Sequence, residues 1–249
     1  MGRLTRKIAF ITGGNSGIGL ATAKRFVAEG AYVYITGRRK AELETATRDI
    51  GDNVTALQGD VSNLADLDRW YETVKRNHDH IDVLFANAGG GEFARLGEIS
   101  EAHFDKTFAI NVKGLLFTVQ KALPLLPRGA SVILMASTAG SSGIEAFSVY
   151  AATKAAVRSF ARSWTLDLKP RGIRVNAISP GPIETPGLSG LASTPEQAKL
   201  FKAAQEASVP LGRLGTPDEV ASAVAFLASD NSSFMAGAEL FVDGGARQV

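Results

Sequence analysis

The stretch Thr12-Gly13-Gly14-Asn15-Ser16-Gly17-Ile18-Gly19 joins a short apolar run, Ile8–Ile11, to a segment of helical spacing at 20–29. A glycine-rich turn between a strand and a helix lets the backbone approach a diphosphate closely. It also directs the free N–H groups and the positive end of the helix dipole at that anion. The glycines stand at positions 13, 17 and 19, a looser spacing than GxGxxG. The stretch therefore predicts a variant dinucleotide-binding turn, and an ordinary strand-to-helix turn is the alternative.

Strand and helix signals alternate along the rest of the chain. Apolar, β-branched runs predict strands at 7–12, 32–36, 54–58, 83–86, 131–135, 174–178 and 240–242. Helical spacing lies between them, including 65–77, 101–126, 149–168 and 217–228. Strands that alternate with crossover helices form a parallel sheet covered on both faces. We therefore expect one α/β domain over residues 1–249, a doubly wound Rossmann fold with about seven strands.

Composition and charge exclude several classes of function. The 249 residues carry a net charge of +2, and the basic residues are scattered, which argues against a nucleic-acid partner. No apolar run is long enough to span a bilayer, and we expect no signal peptide, because the N-terminal segment passes directly into the first strand. The chain has no cysteine, which excludes disulfides and thiolate chemistry. We expect a cytoplasmic protein with no membrane or nucleic-acid partner.

One segment interrupts the alternation after the sixth predicted strand. Prolines and glycines are frequent there, at Pro180, Pro182, Pro186, Gly187, Gly190 and Pro195. A segment of this kind at the carboxyl end of a strand predicts a substrate lid over residues 186–208, and a surface excursion without a role is the alternative.

The end of the second strand indicates which dinucleotide binds. An acidic residue there usually takes the ribose hydroxyls of NAD, but this chain has Gly37-Arg38-Arg39 and no carboxylate before Glu42. Guanidinium groups hold a ribose 2′-phosphate with charge-assisted hydrogen bonds, whereas a carboxylate repels it. The sequence therefore favours NADP(H), with Arg38 on the phosphate and Arg39 stacking on the adenine. A solvated basic turn is the alternative.

The third strand ends in a second polar step, Gly59-Asp60-Val61. The Asp60 carboxylate can accept a hydrogen bond from the adenine amino group. It can equally cap the helix that follows.

The segment Tyr150-Ala151-Ala152-Thr153-Lys154 carries a candidate for acid–base chemistry. Its phenol and its ammonium lie one helical turn apart on the same face. A neighbouring cation favours the phenolate form, so Lys154 is expected to lower the pKa of Tyr150. Tyr150 is then a plausible acid in the reduction of a carbonyl group and a base in the reverse reaction.

The spacing alone is weak evidence, because Tyr71 and Lys75 repeat it. Tyr71 lies within an amphipathic helix that no hydroxyl-rich loop precedes, so we interpret it as a packing or surface residue. Tyr150 instead follows a serine-rich loop that leaves the carboxyl end of a strand, where open α/β sheets place their sites.

The serine-rich loop 137–143 supplies candidate hydroxyls to hold a substrate oxygen beside the phenol. Ser137 lies thirteen positions before Tyr150, a separation that the loop can close by folding back. Ser141 and Ser142 are rivals, and spacing does not choose among the three.

Taken together, these motifs resemble the short-chain dehydrogenase/reductase family over nearly the whole chain, from Lys7 to about Gly245. The turn at 12–19 matches the cofactor turn of the family, and Asn87-Ala88-Gly89 matches the segment on the nicotinamide side. Ser137, Tyr150 and Lys154 match the catalytic serine, tyrosine and lysine. The remaining matches are Asn111, for the asparagine that holds a water behind the lysine, 180–185, for the loop at the carboxamide, and 242–245, for the closing strand and turn.

This resemblance implies a seven-stranded sheet in the order 3-2-1-4-5-6-7, hydride transfer between a nicotinamide and a carbonyl/alcohol pair, and commonly a homotetramer. The catalytic residues that it implies are Asn111, Ser137, Tyr150 and Lys154. The expected cofactor-binding residues are Gly13, Asn15, Ser16, Gly17, Ile18, Gly19, Gly37, Arg38, Arg39, Asp60, Val61, Asn87, Ala88, Gly89, Tyr150, Lys154, Pro180, Gly181, Ile183 and Thr185.

The sequence departs from the family pattern after the fourth strand, where Gly90-Gly91-Glu92 follows Gly89 and leaves the substrate side of that loop unusually bare. Apolar residues near the expected site are candidates for the substrate pocket, although each is equally compatible with the core. They are Ile144, Phe147, Leu188 and Leu191.

We expect the substrate to be a ketone or secondary alcohol, a small or medium apolar carbonyl compound, and we weigh other functions against it. A 3-oxoacyl-carrier-protein reductase needs a basic surface near the lid, where Lys199 and Lys202 are offset by Glu196 and Glu206. A non-catalytic NADP sensor is expected to have lost part of the Ser/Tyr/Lys set, which is complete here.

A hydrolase and a metal enzyme are poorly supported. The segment 14–17 lacks the spacing of a nucleophile elbow. His78 and His80 have no third metal ligand in view and are interpreted as part of a solvated helix end, so we expect no metal site.

Overall fold

The computed structural model describes residues 2–191 and 194–249, and the strands of this described part form one parallel sheet of seven. Their order is β3-β2-β1-β4-β5-β6-β7, which confirms the predicted doubly wound Rossmann fold. The strands are β1 (Ile8–Ile11), β2 (Tyr32–Gly37), β3 (Val54–Gln58), β4 (Val83–Ala86), β5 (Ser131–Met135), β6 (Arg174–Pro180) and β7 (Glu239–Val242).

Helices cover both faces of the sheet, as the alternating pattern predicts. They are α1 (Gly17–Ala28), α2 (Lys40–Ile50), α3 (Leu64–Asn77), α4 (Glu101–Phe108), α5 (Leu115–Ala122), α6 (Ser148–Asp167), α7 (Pro186–Ser189), α8 (Pro195–Ser208) and α9 (Pro217–Ala228). Among the described residues, no helix is both long enough and apolar enough to cross a membrane.

Two hydrophobic clusters, one on each face, hold the helices to the sheet. Side chains of α3, α5 and α6 join one cluster, and those of α1, α2 and α9 join the other. Successive strand residues alternate between them, because side chains along a strand point to opposite faces. Phe10 packs into the first cluster, whereas its neighbours Ala9 and Ile11 pack into the second. Burial on both faces explains why these strands are continuously apolar.

The strand order determines where the main cleft of the protein lies. The chain runs from β1 outward to β2 and β3, then returns to β4 on the other side of β1. The loops that follow β1 and β4 therefore diverge in opposite directions and leave a crevice at the carboxyl ends of the strands. The glycine-rich turn at 12–16 and the loop after β4 both begin at this edge.

The structure differs from the sequence prediction in two helical regions. The predicted helix 101–126 is interrupted by a turn of π-helix at Ala109–Gly114, and its last residues, Leu123–Leu125, are 3-10 helix. The predicted lid, 186–208, contains the helices α7 and α8, each begun by a threonine cap and a proline that fixes the first turn. Ala192 and Ser193 of that segment lie outside the described residues.

Candidate active site

The turn between β1 and α1 brings two chain segments close together. Gly13 and Gly17 have positive φ angles, +66° and +51°, a conformation that favours glycine. A Cβ on Gly13 would lie 3.1 Å from the Ala88 Cα atom, and one on Gly19 would lie 2.7 Å from Asn87 Nδ2. Side chains at these positions would fill the space between the turn and the loop after β4.

Hydrogen bonds fix that turn to the β4 loop. Asn87 Nδ2 donates to the carbonyl oxygens of Thr12, at 2.8 Å, and of Gly13, at 3.2 Å. Thr12 Oγ1 accepts from the backbone N–H groups of Asn87, at 2.9 Å, and of Ala88, at 3.0 Å. The two loops at the crevice are therefore one braced unit.

Both arginines after β2 lie in the cleft, each beside a carboxylate. Arg38 Nη1 lies 3.8 Å from Asp60 Oδ2, and Arg39 forms a close ion pair with Glu42. Glu42 also accepts a hydrogen bond of 2.9 Å from Asn15 Nδ2. Glu42 is the first carboxylate after β2 in the sequence, and the first turn of α2 brings it back to Asn15. Each arginine therefore has one carboxylate neighbour, and both arginine side chains stay 60% exposed.

The structure settles the local role of Asp60. Asp60 Oδ1 accepts from Ser62, from the backbone N–H at 2.9 Å and from the hydroxyl at 2.8 Å. The cap of α3 is Asn63 instead, which accepts from the Ala65 N–H group at 3.1 Å. Asp60 therefore shapes the turn before α3 without capping that helix. Val61 follows it and is buried in the core.

The structure brings Ser137 and Tyr150 together. The loop after β5 folds back as a short 3-10 turn, Thr138–Ser141, and brings the side chain of Ser137 close enough to the phenol of Tyr150 to lower its pKa. The rival hydroxyls of Ser141 and Ser142 both donate to the Thr138 carbonyl oxygen, at 3.2 and 2.9 Å. Among the three candidates, Ser137 is therefore the one that meets the phenol.

Lys154 lies one turn along α6 from Tyr150, with its Nζ atom 5.4 Å from the centroid of the phenol ring. It is buried, and its Nζ atom donates to the carbonyl oxygen of Met135 at 2.8 Å. Burial lowers the pKa of Lys154 to about 8.

The structure corrects the prediction that the pKa of Tyr150 is lowered by Lys154. Burial raises the pKa of Tyr150 above its ordinary value, and the neighbouring Ser137 hydroxyl opposes that rise. The ammonium of Lys154 bonds to the Met135 carbonyl oxygen and faces the phenol ring, and burial is the largest influence on the Tyr150 pKa.

Asn111 lies in the π-helical turn, behind the site, and is almost fully buried. Its Nδ2 atom donates to the Gly90 carbonyl oxygen at 2.8 Å and to Thr153 Oγ1 at 3.0 Å, and its Oδ1 atom accepts from the Gly90 N–H group at 3.1 Å. A Cβ on Gly89 would lie 3.0 Å from Asn111 Oδ1 and 3.4 Å from Lys154 Nζ. Asn111 therefore holds the β4 loop against α6, with Gly89 between it and Lys154.

The chain beyond β6 forms the opposite wall of the cleft. Gly181 passes so close to Asp243 that a Cβ would lie 2.8 Å from the Asp243 Cα atom. Ile183 is buried against Gly215, and Thr185 caps α7 by accepting from the Leu188 N–H group at 3.2 Å. The methyl group of Thr185 is 3.4 Å from the Cβ position of Gly17, so this wall reaches the glycine-rich turn.

All these segments line one cleft of about 950 Å³. Each of the twenty expected cofactor-binding residues lines it, as do Ser137, Tyr150 and Lys154, whereas Asn111 lies behind the surface. The four expected pocket residues, Ile144, Phe147, Leu188 and Leu191, line it too. Residues that no sequence motif indicated also line it, notably Phe93, Phe201 and Arg247, together with Glu42 and Gly91.

The bare loop after β4 packs directly on the catalytic candidate. A Cβ on Gly91 would lie 2.6 Å from Tyr150 Cδ2 and 2.9 Å from Phe147 Cζ. Only a residue without a side chain allows the backbone to lie against these rings without displacing them. Two residues further on, the Phe93 ring packs against Phe147 in a tilted arrangement, with 4.6 Å between centroids.

The alternative motifs lie away from this cleft. Tyr71 is buried and donates to the Thr118 carbonyl oxygen at 2.7 Å, so it is a packing residue, as predicted. His78 Nδ1 bonds to the Tyr34 hydroxyl at 2.7 Å, and His80 lies beside Asp82. Within residues 2–191 and 194–249, no three His, Cys, Asp or Glu side chains are arranged to hold a metal ion.

Comparison with known proteins identifies the family. A family profile described as enoyl-(acyl carrier protein) reductase matches residues 13–247. A solved structure, a short-chain dehydrogenase/reductase from Brucella melitensis titled glucose/ribitol dehydrogenase, superposes with a TM-score of 0.93 at 32% identity. The match covers 100% of both chains. This chain belongs to the short-chain dehydrogenase/reductase family.

Relatives of this short-chain dehydrogenase/reductase are oxidoreductases by name. The oxidoreductase asL5 of Sarocladium schorii is 48% identical over 249 residues, which cover 99% of this chain and 98% of the relative. The NADP-dependent (R)-specific alcohol dehydrogenase of Lentilactobacillus kefiri is 35% identical, with 98% and 97% covered. The chain is thus an oxidoreductase of a family that uses nicotinamide cofactors and small-molecule substrates.

Proposed function

We propose that this protein transfers hydride between NADP(H) and a ketone/secondary alcohol pair. The observation that carries the proposal is the meeting of Ser137, Tyr150 and Lys154 in the same cleft as the glycine-rich turn. A phenol close to a hydroxyl and beside a buried ammonium group is suited to giving a proton to a carbonyl oxygen as negative charge develops there.

The residues of the cleft fit a dinucleotide. A Cβ atom on Gly13 or Gly19 would fill the space beside the glycine-rich turn. Ser16, which precedes α1, makes no capping hydrogen bond with its side chain. The start of α1 is thus left available to a diphosphate, which the helix dipole favours. Arg38 and Arg39 line the part of the cleft beyond β2 and support the choice of NADP(H).

The chain's own residues supply the proton chemistry of the proposed reaction. The bound nicotinamide supplies or accepts the hydride. Ser137 holds the substrate oxygen, and Tyr150 donates its proton to that oxygen in reduction and removes it in oxidation. Lys154, with a pKa of about 8, exchanges protons readily near neutral pH and restores the phenol.

Asn111 is proposed to complete the proton path behind Lys154. Its side chain bonds to Gly90 and Thr153 rather than to Lys154, so a relay between the two passes through water. The same bonds make Asn111 a positioning residue for the β4 loop.

Replacing Tyr150 by phenylalanine tests the proposal. We expect turnover of ketones with NADPH to fall about 10²- to 10⁴-fold, because a positioned acid is lost, while NADPH still binds. The matched control is Tyr71→Phe, which removes the buried phenol of the other Tyr-x-x-x-Lys segment and should keep its turnover. Near-normal turnover in Tyr150→Phe would refute the role of the phenol.

The alternative functions have less support. An acyl carrier protein is acidic and needs a basic surface, but in the lid Lys202 is paired with Glu184, and Lys199 follows Glu196 by three residues in the sequence. If the protein were a non-catalytic NADP sensor, the complete Ser/Tyr/Lys set would have no role. Offering ketones, ketoesters and acyl thioesters with NADPH and with NADH separates these functions from the proposed one.

We propose that residues 186–208 act as the substrate lid of a single catalytic domain. Leu188, Leu191 and Phe201 from this segment line the cleft, which supports the proposal. A homotetramer is proposed as well, since aromatic pairs on α4 and α6, Phe104 with Phe108 and Phe160 with Trp164, leave apolar surface available to other copies. A cytoplasmic location stays a prediction.

A further inference from the structure

We propose that the substrate half of the cleft selects ketones that carry an aromatic or other flat apolar ring, which Phe93 and Phe201 hold. The inference rests on the proposed carbonyl reduction and names the substrate class of that same site. It is carried by four aromatic side chains, the aromatic row, which consists of Tyr150, Phe147, Phe93 and Phe201.

The aromatic row runs outward from the reacting phenol. The Tyr150 and Phe147 rings are stacked, with centroids 4.4 Å apart. Phe147 and Phe93 follow at 4.6 Å, and Phe93 meets Phe201 edge to face at 6.0 Å. Such spacings lie within the range in which aromatic rings attract one another.

The row is assembled from three segments that the fold brings to the cleft. Phe147 and Tyr150 belong to the start of α6, Phe93 to the loop after β4, and Phe201 to α8 of the lid. Phe93 is 41% exposed although it lines the cleft, and Phe201 is also only partly buried. Their open surfaces therefore offer contact to a bound molecule.

The wall beside the row includes apolar side chains, and the carboxylate at its rim is paired. Ile144, Leu188 and Leu191 line the cleft beside the row. The carboxylate of Glu92 is bonded to the ammonium of Lys106 at the rim. A polyhydroxylated ketone would bring hydroxyl groups against these apolar side chains and lose their hydrogen bonds to water. A ring attached to the carbonyl carbon would instead bury apolar surface and stack on the row.

Gly91 keeps the row in place. Its backbone lies against Tyr150 and Phe147, where a Cβ would collide with both rings. This close approach brings Phe93 back onto Phe147, so the bare loop that follows β4 is what allows the ring from that loop to reach the cleft.

The test compares three ketones with NADPH: an aryl alkyl ketone, a straight-chain ketone of equal carbon number and a polyhydroxylated ketone. For the wild-type protein we expect kcat/KM to be highest for the aryl ketone, by about tenfold over the straight-chain ketone. In Phe93→Leu and Phe201→Leu, KM for the aryl ketone should rise about tenfold, with kcat and the straight-chain KM changed less than twofold.

The matched control is Phe234→Leu, which alters a fully exposed phenylalanine outside the cleft and should leave all three ketones unchanged. The proposal is overturned if kcat/KM for the polyhydroxylated ketone equals that for the aryl ketone. It is also overturned if both leucine variants lose the same factor of kcat/KM on every ketone. Either result, with ketone reduction intact in the wild-type protein, removes this inference alone. Absence of any ketone reduction would instead count against the proposed function.

Discussion

Replacing Lys154 by methionine measures how much stability the protein loses by burying an ammonium group. Lys154 is 3% exposed, and burial lowers its pKa from 10.5 to about 8. At pH 7 the group is protonated in both the folded and the unfolded chain, so the folded state carries the whole cost of desolvation. Because one pKa unit corresponds to about 1.4 kcal/mol, that cost is about 3 kcal/mol.

The methionine variant lacks this cost but leaves the Met135 carbonyl oxygen without its hydrogen bond, which subtracts about 1 kcal/mol. We therefore expect its free energy of unfolding at pH 7 to exceed that of the wild type by about 2 kcal/mol. Between pH 8 and 10.5 the unfolded wild-type chain binds more protons than the folded one, so wild-type stability rises with pH. The advantage of the variant should fall to about zero near pH 10.

Denaturant unfolding at a fixed protein concentration and without nucleotide checks this expectation at pH 7 and pH 10. The matched control is Lys75→Met, at an exposed position on α3 in the other Tyr-x-x-x-Lys segment, whose difference from the wild type should not change with pH. A Lys154→Met protein that is less stable at pH 7, or whose difference is constant with pH, would refute the reasoning.

Two further substitutions test the cofactor and substrate sides of the cleft. Glu42→Gln removes the carboxylate shared by Asn15 and Arg39, and we expect NADPH binding to tighten relative to NADH about tenfold in fluorescence titrations, because less charge repels the 2′-phosphate. An unchanged ratio, or the same change in the control Glu44→Gln, would contradict this. Gly91→Ala must displace Tyr150 or Phe147, so kcat should fall at least about tenfold with the NADPH dissociation constant kept. The control Gly143→Ala meets no atom within 4 Å and should keep its kcat, and full activity in Gly91→Ala would show that the rings adapt.

Local patterns were sufficient to predict most of the fold. The strands are continuously apolar because both faces of the sheet are covered, and each run therefore stands out between polar helical segments. The helices of the lid could not be found in the same way. In 186–208 the prolines indicated interruption, whereas the structure uses Pro186 and Pro195 as first residues of helices, where a missing N–H group does no harm.

The site residues likewise separate into those placed by local contacts, which the sequence predicts, and those placed by long-range contacts, which it does not. Tyr150 and Lys154 are one helical turn apart, so their proximity follows from α6 alone. The choice of Ser137 over Ser141 depends on how the loop after β5 folds, and the approach of Phe201 to Phe93 depends on the lid. The predicted direction of the Tyr150 pKa shift was wrong, because burial is a property of the whole fold and sequence spacing contains no measure of it.

The π-helical turn around Asn111 shifts the phase of the long helical segment between β4 and β5. Phe104, Phe108, Leu115 and Val119 are spaced so that an uninterrupted α-helix would align them in a single stripe. Phe104 is nevertheless 44% exposed, whereas Leu115 and Val119 belong to the core. The wider turn adds about one residue, which rotates all that follows by about 100°. The helical segment between β4 and β5 can thus present two apolar stripes that face different directions. They meet at Asn111, which anchors the β4 loop.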